Sequence, residues 1–190
     1  MQKNEVSGSI REFLALGDFV SSGAFSGKIL EAAEMIGSAI KSGGKILIFG
    51  NGGSAADSEH MAAELMGRFS MDRKPYKAIS LTANTPLLTA LSNDYGYDEC
   101  FSRQIEGLGE KGDVALGIST SGNSAGVLKA LREAEKKGLT TIALLGNDGG
   151  KIKDSARLSV IVPSRCTPRI QEIHILIIHL LAELVEKELR

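Results

Sequence analysis

The residues of this sequence best equipped for chemistry are two histidines, a glutamate and a glutamine. His60 and Glu64 stand four apart in GNGGSAADSEHMAAE (50–64). On a helix they share a face, where they either pair with each other as a surface couple or offer an N/O ligand pair to one metal ion. Gln171, His174 and His179 fall in RIQEIHILIIHLLAELVEKEL (169–189), which is apolar nearly all round from 173 to 184. Polar side chains in such a helix need partners, because an unpaired buried polar group is costly. His174 reads as a histidine hydrogen-bonded inside the core. Gln171 and His179 are eight residues apart, about 12 Å along a helix. They reach one ion only if it lies between them with both side chains pointing inward, or if they come from different subunits.

Two glycine- and hydroxyl-rich turns supply a second kind of chemistry. Gly50, Gly52 and Ala55 satisfy G-x-G-x-x-G/A directly after an apolar strand and before a helix. Glycines there let the backbone reverse tightly and expose N–H groups at a helix N-terminus, which favours an anionic guest. A dinucleotide would also need an acidic residue at the end of the second strand, and that strand runs out as Leu81-Thr82-Ala83-Asn84; a P-loop would need Lys-Ser/Thr after the glycines. Both readings fail. Beyond a later strand, Ser119-Thr120-Ser121-Gly122-Asn123-Ser124 offers a neutral cradle of O–H and N–H donors suited to a phosphate monoester, or else a capping turn without a ligand. ALLGNDGG (143–150) is a third glycine-rich strand exit, whose glycines need do no more than turn the chain.

Short β-rich runs at 45–49, 78–81, 114–119, 140–145 and 158–162 alternate with segments of helical periodicity, notably 54–68 and 124–137. Such alternation predicts a mostly parallel sheet covered by helices on both faces, with ligands at the carboxyl ends of its strands. Ile29, Ala33, Ile36 and Ile40 form an apolar stripe in front, stopped by Gly43-Gly44. The apolar helix at the other end calls for enclosure by its own domain or by another subunit.

The chain has 190 residues, enough for one ordinary domain, with 22 Lys plus Arg against 23 Asp plus Glu. That balance leaves no positive excess for a phosphate backbone or an anionic membrane, so neither nucleic acid nor membrane is expected as a partner. No basic start precedes an apolar run, and no long uncharged apolar segment occurs. The two cysteines, Cys100 and Cys166, lie far apart without metal-knuckle spacing. A soluble cytoplasmic protein is expected, with the cysteines as small packing residues.

Together GNGGSAADSEHMAAEL, LSNDYGYDECFSRQIE, GDVALGISTSGNSAGVLKAL and RIQEIHILIIHLLAELVE, in this order, resemble the phosphoheptose isomerases, a branch of the sugar isomerase (SIS) family. The match runs from about Gly43; the first forty residues match only in helical character. The resemblance implies a single doubly wound α/β SIS domain over 1–190. Its five-stranded parallel sheet would have flavodoxin-like order, and 1–42 would form a helical segment packed on the domain or on a neighbouring subunit. It implies an aldose–ketose isomerase that converts sedoheptulose 7-phosphate for surface polysaccharide synthesis, acting as a homotetramer with sites near subunit interfaces. One zinc ion per subunit is implied, on His60, Glu64, Gln171 and His179. Substrate contacts are implied at Asn51, Gly52, Gly53, Asp57, Glu64, Asn93, Asp94, Ser119, Thr120, Ser121, Ser124 and Gln171, with Glu64 and His179 catalytic. Some members carry an acid just before Arg169, where this chain has Thr167-Pro168, so no role for a carboxylate transfers there. The alternative is a SIS protein that binds sugar phosphates or regulates replication without catalysis. Retention of Glu64 and His179 with the full glycine turn speaks for the enzyme.

Overall fold

The computed structural model describes residues 3–190. Three helices come first, α1 (Lys3–Leu14), α2 (Gly17–Val20) and α3 (Gly23–Lys41). The core then alternates β1 (Ile46–Gly50), α4 (Gly53–Met66), β2 (Ala78–Ser80), α5 (Thr85–Tyr95), a 3-10 turn at Tyr97–Glu99, α6 (Cys100–Leu108), β3 (Val114–Ser119), α7 (Ala125–Lys136), β4 (Thr140–Gly146), β5 (Leu158–Val162) and α8 (Thr167–Glu188). All strand pairs are parallel, in the order β2-β1-β3-β4-β5, the flavodoxin-like winding. The five strands lie where the alternation of the sequence puts them, each end within a residue. The periodicity did not single out α1, α2, α5 or α6.

Side-chain alternation along the strands builds two cores. Ile46, Ile48, Val114, Leu116, Ile118, Ile142 and Leu144 face one side, under Ile29 and Ile36 of α3, Met61 and Leu65 of α4, and Ile173, Ile177 and Leu181 of α8. Leu47, Phe49, Ala115, Ala143 and Leu145 face the other, under Phe101 and Ile105 of α6 and Val127, Ala130 and Leu131 of α7. Strands buried on both faces explain why these runs read as continuous apolar stretches. Of the N-terminal segment, α3 belongs to the core, whereas α1 leaves Val6, Ile10, Phe13 and Leu14 exposed. No helix among the described residues is long and apolar enough to cross a membrane.

The winding reverses between β1 and β3, and there the chain places two tight turns. β1 ends at Gly50, where an added Cβ would stand 2.8 Å from Ser54 Cβ, 2.8 Å from the Ser54 carbonyl oxygen and 2.9 Å from the Ile118 carbonyl oxygen. Gly52, the N-cap of α4, has φ 58°, open to glycine and strained for other residues. Gly50→Ala is expected to destabilise the fold by about 1–3 kcal/mol through overpacking against backbone, read as a lower midpoint in urea with an unchanged m-value.

Candidate active site

Two helix N-termini meet at this switch point. Ser124 caps α7, its hydroxyl accepting from Val127 N–H, while Gly52 and Gly53 open α4. Asn51 joins them: its Nδ2 donates to Ser124 Oγ at 2.8 Å, and its Oδ1 accepts from the Tyr97 hydroxyl at 2.8 Å. With both acceptor positions of Ser124 taken, its O–H proton is left to point at a guest. Ser119 Oγ and Ser121 Oγ lie 3.5 Å apart, and the Thr120 carbonyl is held by Asn147 Nδ2 at 3.0 Å. The loop is a ring of hydroxyls and amides around a helix N-terminus, as an anion requires. On the far side of β1, the place where a ribose-binding acid would stand is taken by hydroxyls. Ser58 Oγ lies 2.8 Å from Ser80 Oγ, and Thr82 Oγ1 donates to Glu59 at 2.9 Å.

The histidines and glutamate converge where α4 and α8 lie side by side. His60 Nε2 and His179 Nε2 are 3.0 Å apart, and His60 Nε2 is 3.3 Å from Glu64 Oε1. Ligand atoms of His60, Glu64 and His179 all fall within 4.8 Å of one another. Zinc bonds of about 2.0–2.1 Å in a tetrahedron put neighbouring ligand atoms about 3.3 Å apart, so the two histidine nitrogens and the carboxylate oxygen have the chemistry and nearly the spacing of a three-ligand site with an open position. Both carrier helices are fixed by apolar neighbours, Met61 and Leu65 on α4 and Ile177, Ile178 and Leu181 on α8. His179 also lies against Phe69, ring centroids 5.7 Å apart.

Gln171 is seated elsewhere on α8. Its amide rests on the α-carbon of Gly53, where any Cβ would collide with it, so within one chain it faces the glycine turn, about 12 Å along the helix from His179. Asp57 occupies the turn of α4 before His60. Burial pushes its carboxyl up to about 6, with His60 pulling the other way, and its Oδ2 has no hydrogen-bond partner. Asn93 and Asp94 sit exposed at the end of α5, bonded to each other at 2.9 Å. His174 is a core residue: fully buried, its Nε2 lies 3.2 Å from the Leu145 carbonyl. Burial lowers it to about 4, the hydrogen bond opposing. Cys100 is buried and Cys166 half-buried, both as free thiols.

Sequence reasoning passed over Tyr97, Phe69, Arg73 and Glu186. Tyr97 lies inside the quoted LSNDYGYDECFSRQIE, and an aromatic with a hydroxyl just before a helix was the available signal. For Phe69, no periodicity marks a residue in an irregular loop.

The SIS domain family matches residues 21–146. A phosphoheptose isomerase of Geobacter sulfurreducens is 52% identical over 164 residues, covering 86% of this chain and 87% of that protein. Among solved structures, phosphoheptose isomerase GmhA from Neisseria gonorrhoeae superposes with a TM-score of 0.90 at 41% identity, over 97% of this chain and 98% of its own. A phosphoheptose isomerase from Francisella tularensis gives 0.91 at 33% identity, over 98% and 100%.

Two substitutions check the geometry. Gly53→Ala displaces only the flexible end of Gln171 and is expected to leave stability within about 0.5 kcal/mol, while raising the substrate KM about tenfold, the loss of one good hydrogen bond. An unchanged KM would mean that the Gln171 seat is not used. Asp57 binds its proton more tightly folded than unfolded, so its contribution to stability is present below about pH 4 and is lost as pH rises through about 6. In thermal melts of chelator-treated protein, Asp57→Asn should therefore raise the midpoint at pH 8 and leave it unchanged at pH 4.

Proposed function

We propose that this chain, which belongs to the SIS domain family and within it to the phosphoheptose isomerases, is an aldose–ketose isomerase. Its substrate is sedoheptulose 7-phosphate and its product D-glycero-D-manno-heptose 7-phosphate, through an enediol. The observation that carries this reading is the convergence of Glu64 and His179 with His60 beside a neutral anion cradle. A SIS protein that only bound sugar phosphates would need the cradle and not the triad.

The phosphate sits on Ser119, Thr120, Ser121 and Ser124 and the N-terminus of α7, and the sugar extends past Asn51, Gly52 and Gly53 toward Glu64. Asn93 and Asp94 contact it from the exposed end of α5. Isomerisation removes a proton from C1 and returns it to C2, while a hydroxyl proton passes from O1 to O2. We assign the carbon-bound proton to Glu64, which has one carboxylate oxygen facing His60 and a second to act as base. We assign His179 to the hydroxyl and carbonyl oxygens, O1 and O2, between which the second proton moves. Gln171, on the glycine turn, orients the hydroxyls of the chain, and Asp57, whose raised affinity for a proton lets it exchange one near neutral pH, assists opening of the sugar ring.

His60, Glu64 and His179 suit one zinc ion per subunit, which when bound would polarise the carbonyl and stabilise the developing oxyanion. Gln171 is held on Gly53 of its own chain, so to serve as a fourth ligand it must either leave that seat or come from a neighbouring subunit. We place the chain in a homotetramer, supported by the exposed apolar side chains of α1. A phosphorylated sugar substrate is a cytoplasmic metabolite, and the product feeds a heptose-containing surface polysaccharide.

Turnover of sedoheptulose 7-phosphate by the purified protein, followed by NMR, is expected to give the aldose phosphate, to stop on chelation and to return with zinc. Glu64→Gln should lower kcat by about 10²–10⁴, the usual worth of a positioned base. Metal-replete protein that yields no aldose phosphate overturns the reading for this substrate, and a Glu64→Gln variant keeping most of its kcat removes Glu64 as the base.

A further inference from the structure

Seven residues beyond His179 on α8, two helical turns on, Glu186 is wholly buried yet charged. Its Oε1 accepts from Phe69 N–H at 2.8 Å and from Arg73 Nε at 2.9 Å. Its Oε2 accepts from Ser70 N–H at 3.0 Å, Ser70 Oγ at 2.9 Å and Met71 N–H at 3.1 Å. Burial alone would push this carboxyl up; the Ser70 and Phe69 N–H groups, the Ser70 hydroxyl and the Met71 N–H hold it down to about 2. It is charged at any working pH.

The loop gathered around this carboxylate leads to the triad by two routes. Arg73, placed by its bond to Glu186, donates from Nη2 to the Glu64 carbonyl at 2.9 Å and from Nη1 to the Leu65 carbonyl at 2.9 Å, closing the last turn of α4 that α-helices leave unsatisfied. Phe69, whose N–H is bound by the same carboxylate, lays its ring on His179 at 5.7 Å between centroids and 37° between planes. One carboxylate on α8 thus fixes the end of α4 that carries Glu64 and the ring that backs His179. An ordinary staple between a helix and a loop would need neither contact.

We propose that Glu186 is a positioning residue of the isomerase: acting through Arg73 and Phe69, it sets the separation between the His60–Glu64 face of α4 and the His179 ring of α8. The role rests on the triad being the catalytic centre, as proposed above.

Glu186→Gln and Phe69→Leu test it in the full chain. With three histidines in the sequence, the carbon-bound ring protons of His179 can be assigned by comparison with His179→Gln. Phe69→Leu removes the aromatic ring current and shifts these protons, while leaving the half-exposed position folded and its melting temperature near the parent's. Glu186→Gln keeps the Phe69 ring yet moves the same protons in the same direction, because the loop lets go. In both variants kcat falls about tenfold with KM within twofold, and zinc affinity by chelator competition weakens about 10-fold, as when a partner behind a metal ligand is removed. His179 protons and kcat at parent values in Glu186→Gln, whatever its melting temperature, would overturn the proposal. If Glu186→Gln does not fold, Phe69→Leu decides alone, and a parent-like kcat and zinc affinity there overturn it. A parent without turnover would count against the isomerase, while the His179 protons still decide the positioning.

Discussion

In a parallel sheet every crossover helix must run back against its strand, so α4 and α8, laid on one face of the same sheet, point the same way. Their residues therefore meet in step: Gly53 with Gln171, His60 with His179, and the loop after α4 with Glu186. Advances of seven or eight residues on each helix are close to two turns, which returns every one of these residues to the shared seam. The triad draws all three of its residues from helices. It follows from two helices in register, each anchored by apolar side chains in the same core.

The other half of the site also comes from topology. Where the winding reverses, β1 and β3 are neighbours whose following helices leave on opposite faces, and their N-termini open toward one crevice. Asn51 spans it with one amide, accepting from Tyr97 and donating to Ser124. Hydroxyls, backbone amides and helix N-termini, rather than Lys or Arg, make up the cradle from Ser119 to Ser124.

Most of this was legible in the chain itself. β1, β3 and β4 read as strands because burial on both faces makes them almost continuously apolar, and the glycine turns mark where two helix N-termini meet. The spacing of His60 and Glu64 gave a shared helix face; that His179 completes it required the pairing of two distant helices, which periodicity does not specify. Gln171 shows the limit most clearly. Sequence distance alone left it either inward-reaching or supplied by another subunit, and only its contact with Gly53 places it on the glycine turn. Glu186 was invisible for a different reason. In HLLAELVEKELR a glutamate near a helix end looks solvated, and nothing local tells that five donors from residues 69–73 surround it.

An enediol must be shielded from bulk water, and a single chain does not shield it. The His60 side chain is 41% exposed and that of Glu64 23%, while Asn93, Asp94 and Tyr97 stand on an outer edge where α5 buries none of its residues. Desolvation also strengthens each electrostatic contact on the developing oxyanion. The exposed apolar side chains of α1 lie beside α8, where Val6, Ile10 and Phe13 share a groove with Arg169 and Ile175, near the Gln171 end of the seam. A neighbouring subunit covering that groove would close the seam from the outside, so the proposed tetramer and the proposed chemistry depend on the same surface.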